Sequence, residues 1–141
     1  MKPIEQGELP SHADVIVDAP RFSWSKRRDD GSIDFLSPVP CPFNYGSVPG
    51  TLSGDGDRID ALVLGPRLPR HSRHTLPVLG IVRFVDAGDD DPKWICGERR
   101  PDEAQRLMIE AFFNIYAVAK GTLNRLRRRR GPTRYDGLWL R

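Results

Sequence analysis

The sequence predicts a mainly β chain, α+β in class, in which a small antiparallel barrel carries one helix packed near the C-terminal end. Three observations predict it. Thirteen prolines and thirteen glycines in 141 residues cut the chain into short segments and argue against a helical bundle. The short apolar runs, such as Val15-Ile16-Val17 and Ile81-Val82, are β-branched. Only the stretch from Pro101 to Gly121 repeats its apolar residues at three and four positions.

Residues 1–12, with Pro3, Gly7 and Pro10, read as a lead-in. Ala13 to Asp18 reads as a strand closed by Pro20. Asp29-Asp30-Gly31 is a hairpin turn before a strand from Ser32 to Leu36. Pro38, Pro40 and Pro42 cannot lie in a central strand, because proline donates no ladder hydrogen bond, so they form an extended connector. Ile59 to Leu64 and Pro77 to Val85 are the strongest strands, and Lys93 to Cys96 is a shorter one. Arg67 to Thr75, with three Arg and two His, reads as a basic loop. In the helix, Pro101 suits the first turn, and Asp102 and Glu103 suit the positive end of the dipole. Leu107, Met108, Ala111, Phe112, Ile115, Tyr116 and Ala119 form one apolar face, and Lys120 and Gly121 mark the end.

The length fits a single domain over 1–141, with a basic tail from about residue 121. The net charge of +3 is uneven: Lys120 to Arg141 holds eight Lys/Arg and one Asp, which leaves the remainder acidic. The Arg127–Arg130 run has no recognition motif or interleaved aromatics beside it, so nucleic acid is not an expected partner. Cys41 and Cys96 are too few for a disulfide framework and suit a reducing cytoplasm. No apolar run is long enough for a membrane span, and the N-terminus lacks a signal-peptide core, so a cytoplasmic location is expected.

The chemistry is concentrated in two acidic clusters, Asp55-Gly56-Asp57-Arg58-Ile59-Asp60 and Asp86-Ala87-Gly88-Asp89-Asp90-Asp91-Pro92-Lys93. Asp and Gly are ordinary turn residues, and solvated turns are the simpler reading. Carboxylates this dense stay ionised together when cations sit between them. Hard divalent cations such as Mg²⁺ take oxygen ligands and keep several waters, which suits shared carboxylates. Two metals in such a site stabilise both the attacking and the leaving oxygen of a phosphoryl transfer.

The order of Phe43 to Leu52, the first cluster, Ala61 to Gly65, and Leu79 to Val85 leading into Asp86 resembles the soluble, Mg²⁺-dependent inorganic pyrophosphatases. The resemblance covers roughly Val15 to Lys120 and implies a five-stranded OB-like barrel with a packed C-terminal helix. By resemblance, Asp55 and Asp60 ligate metal and Asp57 holds and deprotonates the attacking water. Asp86 and Asp91 match further metal ligands, and Lys93 balances charge near substrate. Asp18 stands where the family has a longer glutamate ligand. Lys26, Tyr45 and Tyr116 match phosphate-binding residues, although Tyr116 equally fits the apolar face of the helix. The implied reaction is hydrolysis of pyrophosphate, or a related phosphoanhydride, by a metal-activated water. Mg²⁺ is the implied cofactor, with Mn²⁺ or Zn²⁺ as alternatives, and a homo-oligomer is implied too.

The departures define the alternative, a degenerate relative that binds metal or a phosphorylated ligand without efficient hydrolysis. The family's Lys-Tyr-Glu is Lys26-Arg27-Arg28, and the segment from Gly31 to Ser37 is short and lacks an Asp-Arg pair. Cys41 replaces a tyrosine, and the helix's Tyr-Lys is Tyr116-Ala117. Two cations for the leaving phosphate are therefore absent, and losing one such stabiliser costs about 10²–10³ in rate. Arg27, Arg28 and the Arg67–His74 loop are the candidates to replace them.

Overall fold

The computed structural model describes residues 9–23, 25–27, 33–36 and 40–141. In chain order these form β1 (His12–Ala19), β2 (Ser25–Arg27), β3 (Ile33–Leu36), β4 (Asn44–Val48) and β5 (Ile59–Val63). Then come β6 (Arg73–Asp86), β7 (Asp89–Asp90), β8 (Lys93–Cys96), α1 (Glu103–Leu126) and β9 (Arg134–Leu140). Strands β1, β4, β5, β8 and β6 pair in that order, and β6 pairs back onto β1. This closed cycle is the expected five-stranded barrel. β7 and β9 extend it from β6, and β2–β3 is a separate hairpin.

The barrel is not wholly antiparallel, as the sequence reading had it. β5 and β8 run parallel, with Asp60 opposite Lys93. The reason is topological: β6 lies between them in sequence and crosses the barrel antiparallel to β8, so β8 leaves in the direction of β5.

Two cores follow from strand alternation. Val15, Val48, Ile59, Ala61, Val63, Val78, Ile81, Trp94 and Cys96 fill the barrel interior. The opposite faces of the same strands carry Leu62, Val82, Phe84 and Ile95, which pack, together with Phe43 just before β4, with Ile109, Phe112 and Phe113 of α1. Val78 and Ile81 of β6 face the same interior although they are three residues apart, because the register shifts between Val78 and Gly80; ordinary alternation then sends Val82 and Phe84 to the helix side. Gly80 is needed there because a Cβ would lie 2.3 Å from the Trp139 carbonyl oxygen of β9.

The helix starts on an Asp102 cap: the Gln105 N–H donates to Asp102 Oδ1 at 2.8 Å, and the Asp102 N–H donates to Gln105 Oε1 at 3.0 Å. Its buried face is rotated from the expected one. Ile109, Phe112, Phe113, Lys120 and Asn124 are buried, whereas Leu107, Met108 and Ile115 are exposed. Gly121 does not end it, because Lys120 and Asn124 continue the buried stripe one turn at a time. The residues expected as a basic tail are thus the last helical turns and a strand. Arg73 to Thr75, expected in a loop, open β6 and pair with β1. Cys41 and Cys96 are free and sit in different cores. Among the described residues, no helix is long and apolar enough to cross a membrane.

Candidate active site

The outer faces of β5, β8 and β6 each change from apolar to charged along the strand. Leu62 gives way to Asp60, Ile95 to Lys93, and Phe84 to Asp86. The buried stripe of α1 changes likewise, from Ile109 and Phe113 through Tyr116 to Lys120 and Asn124. Where all of them are polar, a cavity of about 250 Å³ opens. Tyr45, Asp55, Asp57, Asp60, Asp86, Asp91, Lys93, Tyr116, Lys120 and Arg129 line it.

Both acidic clusters reach this cavity. The Asp55 loop is a side-chain-capped turn: Ser53 Oγ and the Asp57 N–H, the latter at 3.0 Å, both donate to Asp55 Oδ1. Gly54 presses that loop against the second cluster, since a Cβ on it would lie 2.6 Å from the Asp90 carbonyl oxygen. Asp60 and Lys93 face each other because their strands are in parallel register. Lys93 Nζ donates to Asp60 Oδ2 at 2.8 Å and to Asp91 Oδ2 at 2.7 Å. It also lies 5.5 Å from the centre of the Phe84 ring. Tyr45 Oη donates to the same Asp60 oxygen at 2.8 Å.

Burial and charge set the protonation states. Burial opposes the charge on Lys93, but Asp60 and Asp91 outweigh it and hold its pKa well above the ordinary value. Burial pushes the Asp91 carboxyl up to about 6; Lys93 opposes the shift and Asp60 adds to it. Burial, reinforced by Asp60, holds the Tyr45 phenol well above its usual range, so it stays a hydrogen-bond donor. Tyr116 is raised for the same first reason, and its ring packs on Phe84 and Phe112, with centroids 5.6 Å away in both cases.

Asp86 is held from the end of the helix. Asn124 Nδ2 donates to Asp86 Oδ1 at 2.6 Å and to Thr133 Oγ1 at 2.9 Å. Arg129 Nη1 lies 3.6 Å from Asp86 Oδ2. Lys120, Asn124 and Arg129 escaped the sequence reading. The signal for Lys120 and Asn124 was the continuation of the Tyr116 stripe at intervals of four residues, hidden by the glycine at 121; Arg129 lies in the turn after the helix and had no such signal.

Asp18, buried near the end of β1, does not line the cavity; its carbonyl oxygen accepts from Arg70 Nη1 at 2.5 Å. Lys26 belongs to β2, opposite Phe35, but its side chain, like Arg28 as a whole, lies outside the described residues. Arg67 and Arg70 line a different hollow with Pro20, Leu68 and Pro69, so that loop does not supply cations to this cavity. Burial pushes the Cys41 thiol up to about 12, which leaves it protonated and a poor nucleophile.

The donor set suits a hard divalent cation. All the carboxylates offer oxygen, and Asp91 Oδ1 is buried with no hydrogen-bond partner among the described residues. Lys93 Nζ occupies the space between Asp60 and Asp91, and among the described residues no three His, Cys, Asp or Glu side chains are grouped tightly enough to hold one ion together.

Residues 27–128 match the family model of inorganic pyrophosphatase. The chain belongs to the inorganic pyrophosphatase family. It is 36% identical over 98 residues to the inorganic pyrophosphatase of Gluconobacter oxydans (strain 621H), covering 63% of this chain and 56% of that one. It is 34% identical over 97 residues to soluble inorganic pyrophosphatase 2 of Chlamydomonas reinhardtii, covering 62% of this chain and 50% of the relative. The matches therefore span about half the length of these pyrophosphatases. The fold is similar to that of the Thermus thermophilus inorganic pyrophosphatase, with a TM-score of 0.74 at 24% identity, over 99% of this chain and 88% of that one. The Helicobacter pylori inorganic pyrophosphatase gives a TM-score of 0.73 at 20% identity, over 99% and 91% of the two chains. The closed barrel and packed helix are thus those of the pyrophosphatase fold.

Proposed function

We propose that this chain hydrolyses inorganic pyrophosphate to two phosphates in a divalent-metal-dependent reaction, with Mg²⁺ as the metal. The observation that carries the reading is the convergence of both acidic clusters on one cavity, with the buried Lys93 linking Asp60 and Asp91. Solvated turns would not keep Asp91 buried beside Asp60, since burying like charges together is costly.

Asp55, Asp60 and Asp91 line one cavity but are not grouped tightly enough here to hold one ion, so they would have to draw together around the metal, with Asp86 beside them. When bound, a divalent cation acidifies a coordinated water and screens the charge on the phosphates. Asp57 lines the cavity at the tip of its turn, and it is its backbone N–H that donates to the Asp55 side chain. Its carboxylate takes the proton from the attacking water as general base. Lys93 has one further N–H beyond the two given to Asp60 and Asp91, and would offer it to a phosphoryl oxygen of the substrate. Tyr45 positions Asp60 through its hydroxyl, and Tyr116 closes the wall towards the helix. The two free thiols support action in a reducing, cytoplasmic compartment.

The test is phosphate release from pyrophosphate with Mg²⁺, for the unaltered chain, Asp57→Asn and Asp60→Asn. Turnover in the unaltered chain and none with a chelator is expected. Asp57→Asn should lose turnover and keep Mg²⁺ affinity, whereas Asp60→Asn should lose both. Equal loss of Mg²⁺ binding by calorimetry in the two variants contradicts the division of roles. An unaltered chain that binds Mg²⁺ but releases no phosphate with any divalent metal contradicts the hydrolase reading.

A further inference from the structure

We propose that Lys120 and Arg129, supplied by the C-terminal end of α1 and the turn after it, form the phosphate-binding half of the cavity and replace the cations missing at Ala117 and elsewhere. The proposal rests on the hydrolase reading only for the identity of the anion.

The cavity wall holds five carboxylates, Asp55, Asp57, Asp60, Asp86 and Asp91, against three cations, Lys93, Lys120 and Arg129. Lys93 is already engaged by two carboxylates. A polyanion entering here needs fixed positive charge elsewhere on the wall, and the other two cations that line it are Lys120 and Arg129. Lys120 lies one helical turn beyond Tyr116, on the same stripe, so both side chains face the cavity. It is 7% exposed, a costly place for a lysine, and an anion bound in the cavity would repay part of the lost hydration. Arg129 is delivered by the helix stop. The Arg128 N–H donates to the Arg125 carbonyl at 3.1 Å and the Arg129 N–H to the Asn124 carbonyl at 2.8 Å. This is a Schellman turn, and Arg128 adopts its left-handed conformation (φ 57°). The turn folds Arg129 back over Asp86, where its guanidinium offers a planar fork that matches phosphate geometry. Arg67 and Arg70 belong to another hollow and cannot play this part.

The experiment is calorimetric titration of the Mg²⁺-saturated full chain with imidodiphosphate, a non-hydrolysable pyrophosphate analogue. Lys120→Met and Arg129→Met should each weaken binding by about 10- to 100-fold, the range for losing one charge-assisted hydrogen bond. Lys120→Arg should stay within a few-fold of the unaltered chain, and Arg70→Met should change nothing. Melting curves of each variant check that the fold is kept; Arg129 is half-exposed and its loss leaves the core untouched. Unchanged affinity in both methionine variants overturns the proposal. If Arg129 merely neutralises Asp86, Arg129→Met will raise Mg²⁺ affinity and leave imidodiphosphate binding as it was, which overturns its part. An unaltered chain that binds imidodiphosphate tightly yet hydrolyses no pyrophosphate sinks the hydrolase reading and leaves this one standing. Full hydrolysis with variant affinities unchanged does the reverse.

Discussion

Replacing Lys93 by methionine should destabilise the metal-free chain severely, and in a pH-dependent way. The side chain is 2% exposed and donates to Asp60 at 2.8 Å and to Asp91 at 2.7 Å. Methionine fills much of the same volume but leaves two carboxylates facing each other, one of them buried. Breaking a buried ion pair from one side costs about 3–5 kcal/mol. At about 3–4 °C per kcal/mol for a chain of this size, the melting temperature should fall by roughly 10–20 °C. The sign of the pH effect follows from Asp91, whose pKa in the folded chain is already raised to about 6. Loss of Lys93 removes the one influence that lowers it strongly, so the protonated form becomes still more favoured in the folded state. The penalty is therefore complete well above pH 6 and is relieved as pH falls and Asp91 takes up its proton. Thermal unfolding followed by circular dichroism, with chelator present, at pH 8 and pH 5 is the assay. A variant that melts within a few degrees of the parent at pH 8, or a deficit as large at pH 5 as at pH 8, refutes the reasoning.

Two further substitutions probe the frame of the site. Gly54→Ala should cost about 1–3 kcal/mol and weaken Mg²⁺ binding, because the added methyl meets the rigid Asp90 carbonyl at 2.6 Å and pushes the acidic loops apart; a melting temperature and metal affinity equal to the parent's would contradict it. Arg128→Gly should raise stability by about 1 kcal/mol, since glycine adopts the left-handed conformation (φ 57°) without the steric penalty, and denaturant unfolding would show it as a higher midpoint at constant slope.

The barrel was legible because its strands announce themselves through β-branched runs, and the acidic clusters because their spacing is unusual. β4 was less visible: Asn44 to Val48 mixes Asn, Gly and Ser, which owe their places to close approach and hydrogen bonding. Asn44, for instance, is fully buried and its Nδ2 donates to the Val63 and Pro66 carbonyls at 3.2 and 2.9 Å. β9 was hidden behind the arginine run, though Leu138 and Leu140 alternate as a strand should. The helix misled in two ways. Its exposed Leu107, Met108 and Ile115 imitate a core face, and its buried Lys120 and Asn124 look like a solvated end. Periodicity reports where apolar residues recur; it is blind to polar residues buried because they face a charged cavity. The parallel pairing that sets Asp60 against Lys93 is a property of topology, and no local pattern encodes it.

Asp86 belongs to the barrel, but what holds it comes from Asn124, Arg129 and Thr133, beyond the strand framework. The carboxylates of the cavity and Lys93 thus come from the barrel strands and their loops, whereas Lys120 and Arg129 come from the end of the helix and the turn after it. A change of length or composition between Arg127 and Thr133 can alter the fit to a ligand while the barrel keeps its register. Such a change would leave the strand pairing of the barrel untouched and act only on a short segment at the rim of the cavity. Swapping that segment between relatives is, for the same reason, the most economical route to retuning the site.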